Sequence, residues 1–173
     1  HQASIQEGQW SRLIAAPFLH FGLLHLAMNG WAQWSLGGPL EFLMGSWRFL
    51  ALWLGSALGA SLTSFVFIDK SISAGASGAI FGLAGVLTGF LVRHARSFNE
   101  RQRWKARRVY APLILVLVPP ALFQADWRAH LGGYLAGIVL GLLVFPSQLL
   151  EGDASAPLSP TRSVSQPRTR LSL

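Results

Sequence analysis

The sequence predicts an all-α protein, specifically a polytopic membrane helical bundle. Apolar residues make up 51% of the 173 residues and charged residues only 12%, about half the roughly 25% charged share of a soluble domain. The apolar residues are grouped into blocks long enough to enter a bilayer, which takes about 20 residues per helix. Because the chain contains no cysteine, disulfides, thiolate metal sites and cysteine-protease chemistry are excluded.

Five apolar blocks are predicted to span the membrane. The first is expected to end at the Gly-Gly-Pro run of residues 37–39, because proline interrupts a helix, and a short loop with Glu41, Gly45 and Ser46 should follow. A Pro119-Pro120 doublet should end or kink the fourth block. Asp126 is placed to cap the last helix. The blocks cover residues 18–34, 47–67, 77–92, 109–123 and 129–145.

The blocks divide the chain into three regions. Residues 1–17 are polar to mixed and are predicted to form an outer loop. Residues 18–148 hold the membrane domain. Residues 149–173 are rich in Ser, Pro, Arg and Thr with few apolar residues, so we expect a disordered cytoplasmic tail.

The net charge of +7 is interpreted as a topology signal. With residues 1–17 outside, eleven of the 14 Lys and Arg fall on the cytoplasmic side, as the positive-inside rule requires. This bias fits a bacterial plasma membrane, with an organelle as the alternative. It leaves no basic-aromatic surface for nucleic acid.

Glycines recur on one face of two predicted helices. In the third block they stand at 78, 82, 85 and 89, and in the fifth at 133, 137 and 141. The second series lies on the same helical face as His130. Such faces allow close helix packing within a membrane.

Ser77 stands between glycines where a polar loop becomes an apolar helix. In the predicted topology Ser77 and His130 both begin helices from the outer side. A serine hydroxyl needs an adjacent base to act as a nucleophile, and histidine is the usual one. No carboxylate lies inside a span, so a Ser-His dyad is predicted rather than a triad.

Further candidate residues surround this pair. His25 and Asn29 are four residues apart, so they share a helical face and can both donate hydrogen bonds to an oxyanion. Gly75 and Gly78 leave space for a substrate carbonyl beside Ser77, and backbone N–H groups at a helix start can also stabilise the oxyanion. Phe81, one turn further on, could stack on His130.

Each residue has a simpler interpretation when it is taken alone. Ser77 could be only a helix cap, His130 an interhelical donor, and His25 with Asn29 polar contacts between helices. His20 is expected to be structural. A metal site is not predicted, because His20 and His25 do not share a helical face and no H-E-x-x-H pattern is present. The convergence of these polar residues on one side of the membrane favours a catalytic site over separate structural roles.

The motifs resemble those of the rhomboid intramembrane serine proteases. The resemblance rests on Gly75-Ala76-Ser77-Gly78, on Ala129-His130 with Gly133 and Gly137, and on His25 with Asn29. Further resemblance to that family's loops lies in the ranges 36–41 and 45–49 and in the pair Trp10 and Arg12. The match covers roughly residues 9–146.

The resemblance implies a fold and an activity. It implies six core helices, of which this chain holds the second to sixth, with the first helix missing. It implies that Ser77 is the nucleophile and His130 the general base, with His25, Asn29 and the Ser77 backbone N–H as oxyanion donors. No cofactor is expected.

The resemblance also implies the substrate, a transmembrane segment of another membrane protein that unwinds near the outer face. The fourth block, with its proline doublet, resembles the family's moving gate. Two alternatives remain at this point. One is a catalytically inactive rhomboid-like protein that binds membrane clients. The other is a small transporter or channel, which the confinement of polar residues to the outer half disfavours.

Overall fold

The computed structural model describes residues 2–67, 73–94, 100 and 126–144. Within these ranges the chain is helical and contains no strand, which confirms the predicted all-α class. The elements in chain order are α1 Gln2–Gln6, α2 Ser11–Ala15, a 3₁₀ turn Ala16–Phe18, α3 Leu23–Met44, α4 Ser46–Phe67, α5 Ser77–Arg93 and α6 Trp127–Val144.

Three of the predicted blocks coincide closely with helices. The helices α4, α5 and α6 correspond to the blocks predicted at 47–67, 77–92 and 129–145. Their ends differ from the predicted ends by at most two residues. The block at 109–123 with Pro119-Pro120 lies outside the described residues, as do most of the basic segment 93–108 and the whole tail 149–173.

The predicted end of the first block is wrong. The helix α3 starts at Leu23 and continues through Gly37, Gly38 and Pro39. The reason is tertiary: Leu36, Leu40 and Met44 form a buried stripe at four-residue spacing. Burying such side chains stabilises by about 1.5–3 kcal/mol each, which together exceeds the roughly 3 kcal/mol that an interior proline costs.

A glycine rather than a loop separates α3 from α4. Gly45 has a φ of +82°, a conformation that glycine adopts without a steric penalty. Its N–H donates to the carbonyl of Glu41 over 2.8 Å, which closes the last turn of α3. Since α4 begins at Ser46, the loop expected to carry Glu41, Gly45 and Ser46 is a single-residue junction.

The N-terminal segment is more ordered than a loop. It forms α1, α2 and the 3₁₀ turn, and the helical stretch Ser11–Phe18 makes an angle of 89° with Leu23–Phe42. Trp10 packs edge-on against Phe65 of α4, with ring centroids 6.0 Å apart. This segment therefore lies across one end of the bundle.

The core is built around α5, which packs between α6, α4 and α3. Its glycines face backbone directly. A Cβ on Gly85 would overlap the Tyr134 carbonyl oxygen, and one on Gly89 would overlap that of Ile138. The contact is mutual, because a Cβ on Gly141 would overlap the carbonyl of Val86. The two predicted glycine faces thus meet each other.

Among the described residues, α4 is long and apolar enough to cross a membrane. A second span results if the bent pair Ser11–Phe18 and Leu23–Phe42 is counted as one. The helix α5 is apolar but has only 17 residues.

Candidate functional site: a Ser-His pair at the start of α5 and α6

Ser77 is the first residue of α5. Ala76 precedes it in the capping position, and the first backbone bond within the helix runs from the Ile80 N–H to the Ala76 carbonyl over 3.0 Å. The N–H groups of Ser77, Gly78 and Ala79 therefore have no partner from a preceding helical turn. Ser77 is partly exposed, whereas residues 78–87 of the helix are buried.

The structure brings Ser77 and His130 together. Ser77 Oγ lies 2.7 Å from His130 Nε2, a hydrogen-bond distance, although the residues are 53 positions apart. His130 is 8% exposed. The Ser77 side chain makes no capping hydrogen bond, since the cap position belongs to Ala76. The interpretation of Ser77 as a helix cap is therefore wrong.

The His130 ring is stacked on Phe81. The ring centroids are 4.4 Å apart with an interplanar angle of 26°, and Phe81 is only 2% exposed. Because Phe81 lies one turn after Ser77 on α5, the same helix supplies both the hydrogen-bond partner and the packing surface of the imidazole. The ring is thus held from two sides.

The flanking glycines allow α5 and α6 to approach closely at this site. A Cβ on Gly133 would overlap the Gly78 carbonyl oxygen, and one on Gly137 would overlap that of Gly82. A Cβ on Gly78 would lie 3.5 Å from the Ala129 carbonyl oxygen. The close backbone approach is what lets a short serine side chain reach the imidazole.

Gly75 packs directly against His25 of α3. Its φ is +121°, a backbone conformation that favours glycine. A Cβ there would lie 2.7 Å from His25 Cε1, 3.0 Å from His25 Nε2 and 3.5 Å from Asn29 Nδ2. Its N–H donates to the Ala16 carbonyl over 3.0 Å, which fastens the loop to the 3₁₀ turn. The missing side chain thus lets the His25 ring lie against the Gly75 backbone, with Asn29 Nδ2 beside it.

Hydrogen bonds around His25 determine which of its nitrogens can donate. The Phe21 N–H points to His25 Nδ1 over 3.4 Å, so the neutral ring carries its hydrogen on Nε2, the ring nitrogen nearer to Gly75. Asn29 Nδ2 donates one hydrogen to the His25 carbonyl over 3.0 Å and keeps a second for another acceptor. Asn29 is 6% exposed.

His20 packs edge-on against His25, with centroids 5.2 Å apart. Its Nε2 is buried without a hydrogen-bond partner in the described part of the chain. His20 therefore borders the His25 side of the site and does not contact the Ser77–His130 pair through a hydrogen bond.

The capping role predicted for Asp126 is confirmed. The Ala129 N–H donates to Asp126 Oδ1 over 3.0 Å. Asp126 also has a second partner that was not predicted: Ser64 Oγ on α4 donates to Asp126 Oδ2 over 2.5 Å. No sequence signal points to Ser64, since the contact depends on the packing of α4 against α6.

The fold and the site together define a class of protein. It is an all-α bundle with apolar helices in which a serine hydroxyl faces a buried imidazole. The Rhomboid domain family model matches residues 7–147. The chain belongs to the rhomboid family and is an integral membrane protein.

Several relatives are similar to most of this chain. The Rhomboid protease GluP of Bacillus subtilis is 36% identical over 138 residues, covering 77% of this chain and 26% of that protein. RHOMBOID-like protein 2 of Arabidopsis thaliana is 36% identical over 147 residues, covering 82% and 45%. Rhomboid-type serine protease 2 of Emericella nidulans is 31% identical over 156 residues, covering 86% and 30%. The chain thus spans less than half the length of these relatives.

Proposed function

We propose that this chain is an intramembrane serine endopeptidase that hydrolyses peptide bonds in or near transmembrane segments. The observation that carries the proposal is the 2.7 Å contact between Ser77 Oγ and His130 Nε2. Membership of a family in which relatives are named proteases supports it. The membrane domain is proposed to extend over residues 18–148, between the outer segment 1–17 and the tail 149–173.

In the first half of the reaction Ser77 is the nucleophile. As its oxygen attacks the scissile carbonyl carbon, the hydroxyl proton moves to His130 Nε2, which acts as general base. The carbonyl π electrons move to oxygen and form a tetrahedral oxyanion. His25 Nε2–H, Asn29 Nδ2–H and the Ser77 backbone N–H are proposed to donate to that oxyanion. His25 and Asn29 lie beside Gly75, two residues before Ser77, which supports this role.

In the second half His130 acts as an acid and then again as a base. Its proton passes to the leaving amine as the C–N bond breaks, which leaves an acyl ester on Ser77. A water molecule then attacks the ester carbonyl while His130 accepts its proton, and transfer of that proton to Ser77 Oγ releases the carboxylic acid and restores the hydroxyl. Phe81 keeps the ring in one orientation through these steps.

The proposed substrate is a transmembrane segment of another membrane protein, reached from the lipid bilayer. The site is proposed to open to the outer face of a plasma membrane of bacterial type, opposite the basic segment, so that water can enter. The proposed gate at 109–123, where the doublet Pro119-Pro120 would ease tilting, lies outside the described residues.

A fluorophosphonate probe tests the proposal. The full-length protein in detergent is expected to be labelled covalently, because the probe reacts with an activated serine. Labelling should disappear in Ser77→Ala and in His130→Ala. Ser61→Ala, on the same helix as Ser64 but outside the site, is the control and should be labelled as the wild type is.

The inactive, client-binding alternative gives a different result. An unlabelled wild-type protein that is folded and still binds transmembrane clients would overturn the protease proposal and support that alternative. Labelling that persists in Ser77→Ala would show that another residue is the nucleophile.

A further inference from the structure

Asp126 makes three hydrogen bonds at the start of α6. Its Oδ1 accepts from the Ala129 N–H over 3.0 Å, and its backbone carbonyl accepts from the His130 N–H over 3.2 Å. The residue thus engages the amides of His130 and of the residue before it. The direction in which the imidazole leaves the backbone is set by this first helical turn.

The remaining carboxylate oxygen is tied to a different helix. Ser64 Oγ donates to Asp126 Oδ2 over 2.5 Å, the short distance typical of a hydroxyl bonded to an ionised carboxylate. Ser64 is 6% exposed and lies one turn after Ala60, whose Cβ would be 2.5 Å from a Cβ on Gly78 and 3.3 Å from one on Gly133. The serine therefore belongs to the α4 face that supports both α5 and α6.

We propose that Asp126, held by Ser64, is a positioning residue for His130, an inference that rests on the proposed function. Its carboxylate bonds Ser64 and the backbone within the described ranges, not the His130 ring. It therefore does not serve as the third member of a triad. It fixes the register of α6 against α4, and with it the place of the imidazole relative to Ser77.

This role differs from ordinary capping. A cap with one partner would stabilise α6 without a hydrogen bond to α4. The bond to Ser64 joins the capped turn to a buried, fixed side chain. A displacement of about 1 Å at a reacting group can lower a rate roughly 100-fold, so even a small shift of α6 would be visible in the rate of the chemical step.

Three variants of the full-length protein test the inference. Their inactivation by the fluorophosphonate probe is followed at several probe concentrations, which gives the rate constant at saturation separately from the probe concentration at half saturation. Asp126→Ala should lower the rate constant by about 10- to 100-fold with half saturation unchanged. Asp126→Asn should stay within about threefold of wild type, because an amide can accept from Ala129 and donate to Ser64. The rate constant of Ser64→Ala should lie between those of these two variants.

Tyr134→Phe is the matched control. It removes a hydrogen bond between α6 and α5, since Tyr134 Oη lies 3.0 Å from Thr88 Oγ1, but it leaves the start of α6 intact. Its rate constant should equal that of wild type. Should Asp126→Ala not fold, Ser64→Ala decides the question, and a wild-type rate constant in that variant overturns the inference.

The outcomes separate the two proposals. A labelled wild type with an Asp126→Ala variant that reacts at the same rate overturns the positioning role and leaves the protease proposal standing. An equal loss in Asp126→Ala and Tyr134→Phe also overturns it, because general destabilisation would then explain both. A wild type that is not labelled overturns the proposed function itself.

Discussion

Gly137 lies directly against the carbonyl oxygen of Gly82, so that a Cβ at position 137 would overlap that oxygen. Both groups are backbone, and neither can rotate away. Gly137→Ala should therefore force α5 and α6 apart, destabilise the protein by about 1–3 kcal/mol or more, and reduce labelling of Ser77. A melting curve and a labelling time course measure the two effects.

The control for this substitution is Gly30→Ala. Gly30 is exposed in the middle of α3, and within the described chain nothing lies within 4 Å of a Cβ built there. Alanine should be tolerated and could add about 0.5–1 kcal/mol of stability, because glycine is unfavourable inside a helix. Equal melting temperatures for both alanine variants would contradict the proposed close contact.

Gly75→Ala should affect the site in two ways. The backbone at φ +121° is strained for any L side chain, and the new methyl group would lie 2.7 Å from His25 Cε1. We expect a destabilisation of about 1–3 kcal/mol and a large loss of activity, because the methyl group would displace the imidazole of His25, a proposed oxyanion donor. Cleavage of a transmembrane substrate at wild-type rate would argue against that role of His25.

Asn29→Ala should slow catalysis by about 100- to 1,000-fold if Asn29 Nδ2 donates to the oxyanion, with substrate binding little changed. Gln33→Ala is the matched control, one turn along the same helix. Gln33 Oε1 accepts from Trp53 Nε1 over 2.8 Å, so its loss should cost about 0.6 kcal/mol of stability and leave the chemical step intact. Measuring kcat and KM separately distinguishes the two, and a comparable fall in kcat for both would argue against an oxyanion role.

Phe81 offers a test of ring stacking. Phe81→Leu removes the aromatic face that lies 4.4 Å from the His130 ring and should cost about 0.5–1.5 kcal/mol beyond any change in buried area. Phe81→Tyr keeps that face and should retain more activity than Phe81→Leu. The ratio of labelling rates in the two variants is the measurement, and a faster Phe81→Leu would mean that stacking does not hold the imidazole.

Much of the helical framework could be predicted from composition. The ends of α4 and α5 follow from changes in polarity, such as the entry from glycine-rich loop to apolar run at Ser77, and fall within one residue of the prediction. The path of α3 could not be predicted, because Gly37 to Pro39 has the local chemistry of a helix end. Only the burial of Leu36 and Leu40 in the folded protein explains why the helix continues.

The candidate site, like the helices, could be predicted only in part from the sequence. Helical spacing brings His25 and Asn29 onto one face, and the topology puts Ser77 and His130 at the same end. The 2.7 Å contact also requires the backbones of α5 and α6 to touch, which depends on how their glycine faces engage. Ser64 shows the limit most clearly, since only the packed structure reveals that its hydroxyl reaches Asp126.

The brevity of α5 has a consequence for where water is needed. Seventeen residues rise about 26 Å, whereas the hydrocarbon layer is about 30 Å thick. With α5 along the membrane normal and Arg93 at one boundary, Ser77 would lie about 4 Å beneath the other, inside the hydrocarbon layer. The proposed hydrolysis would then require a water-filled opening in the protein, and a thicker bilayer would place the Ser77 hydroxyl deeper.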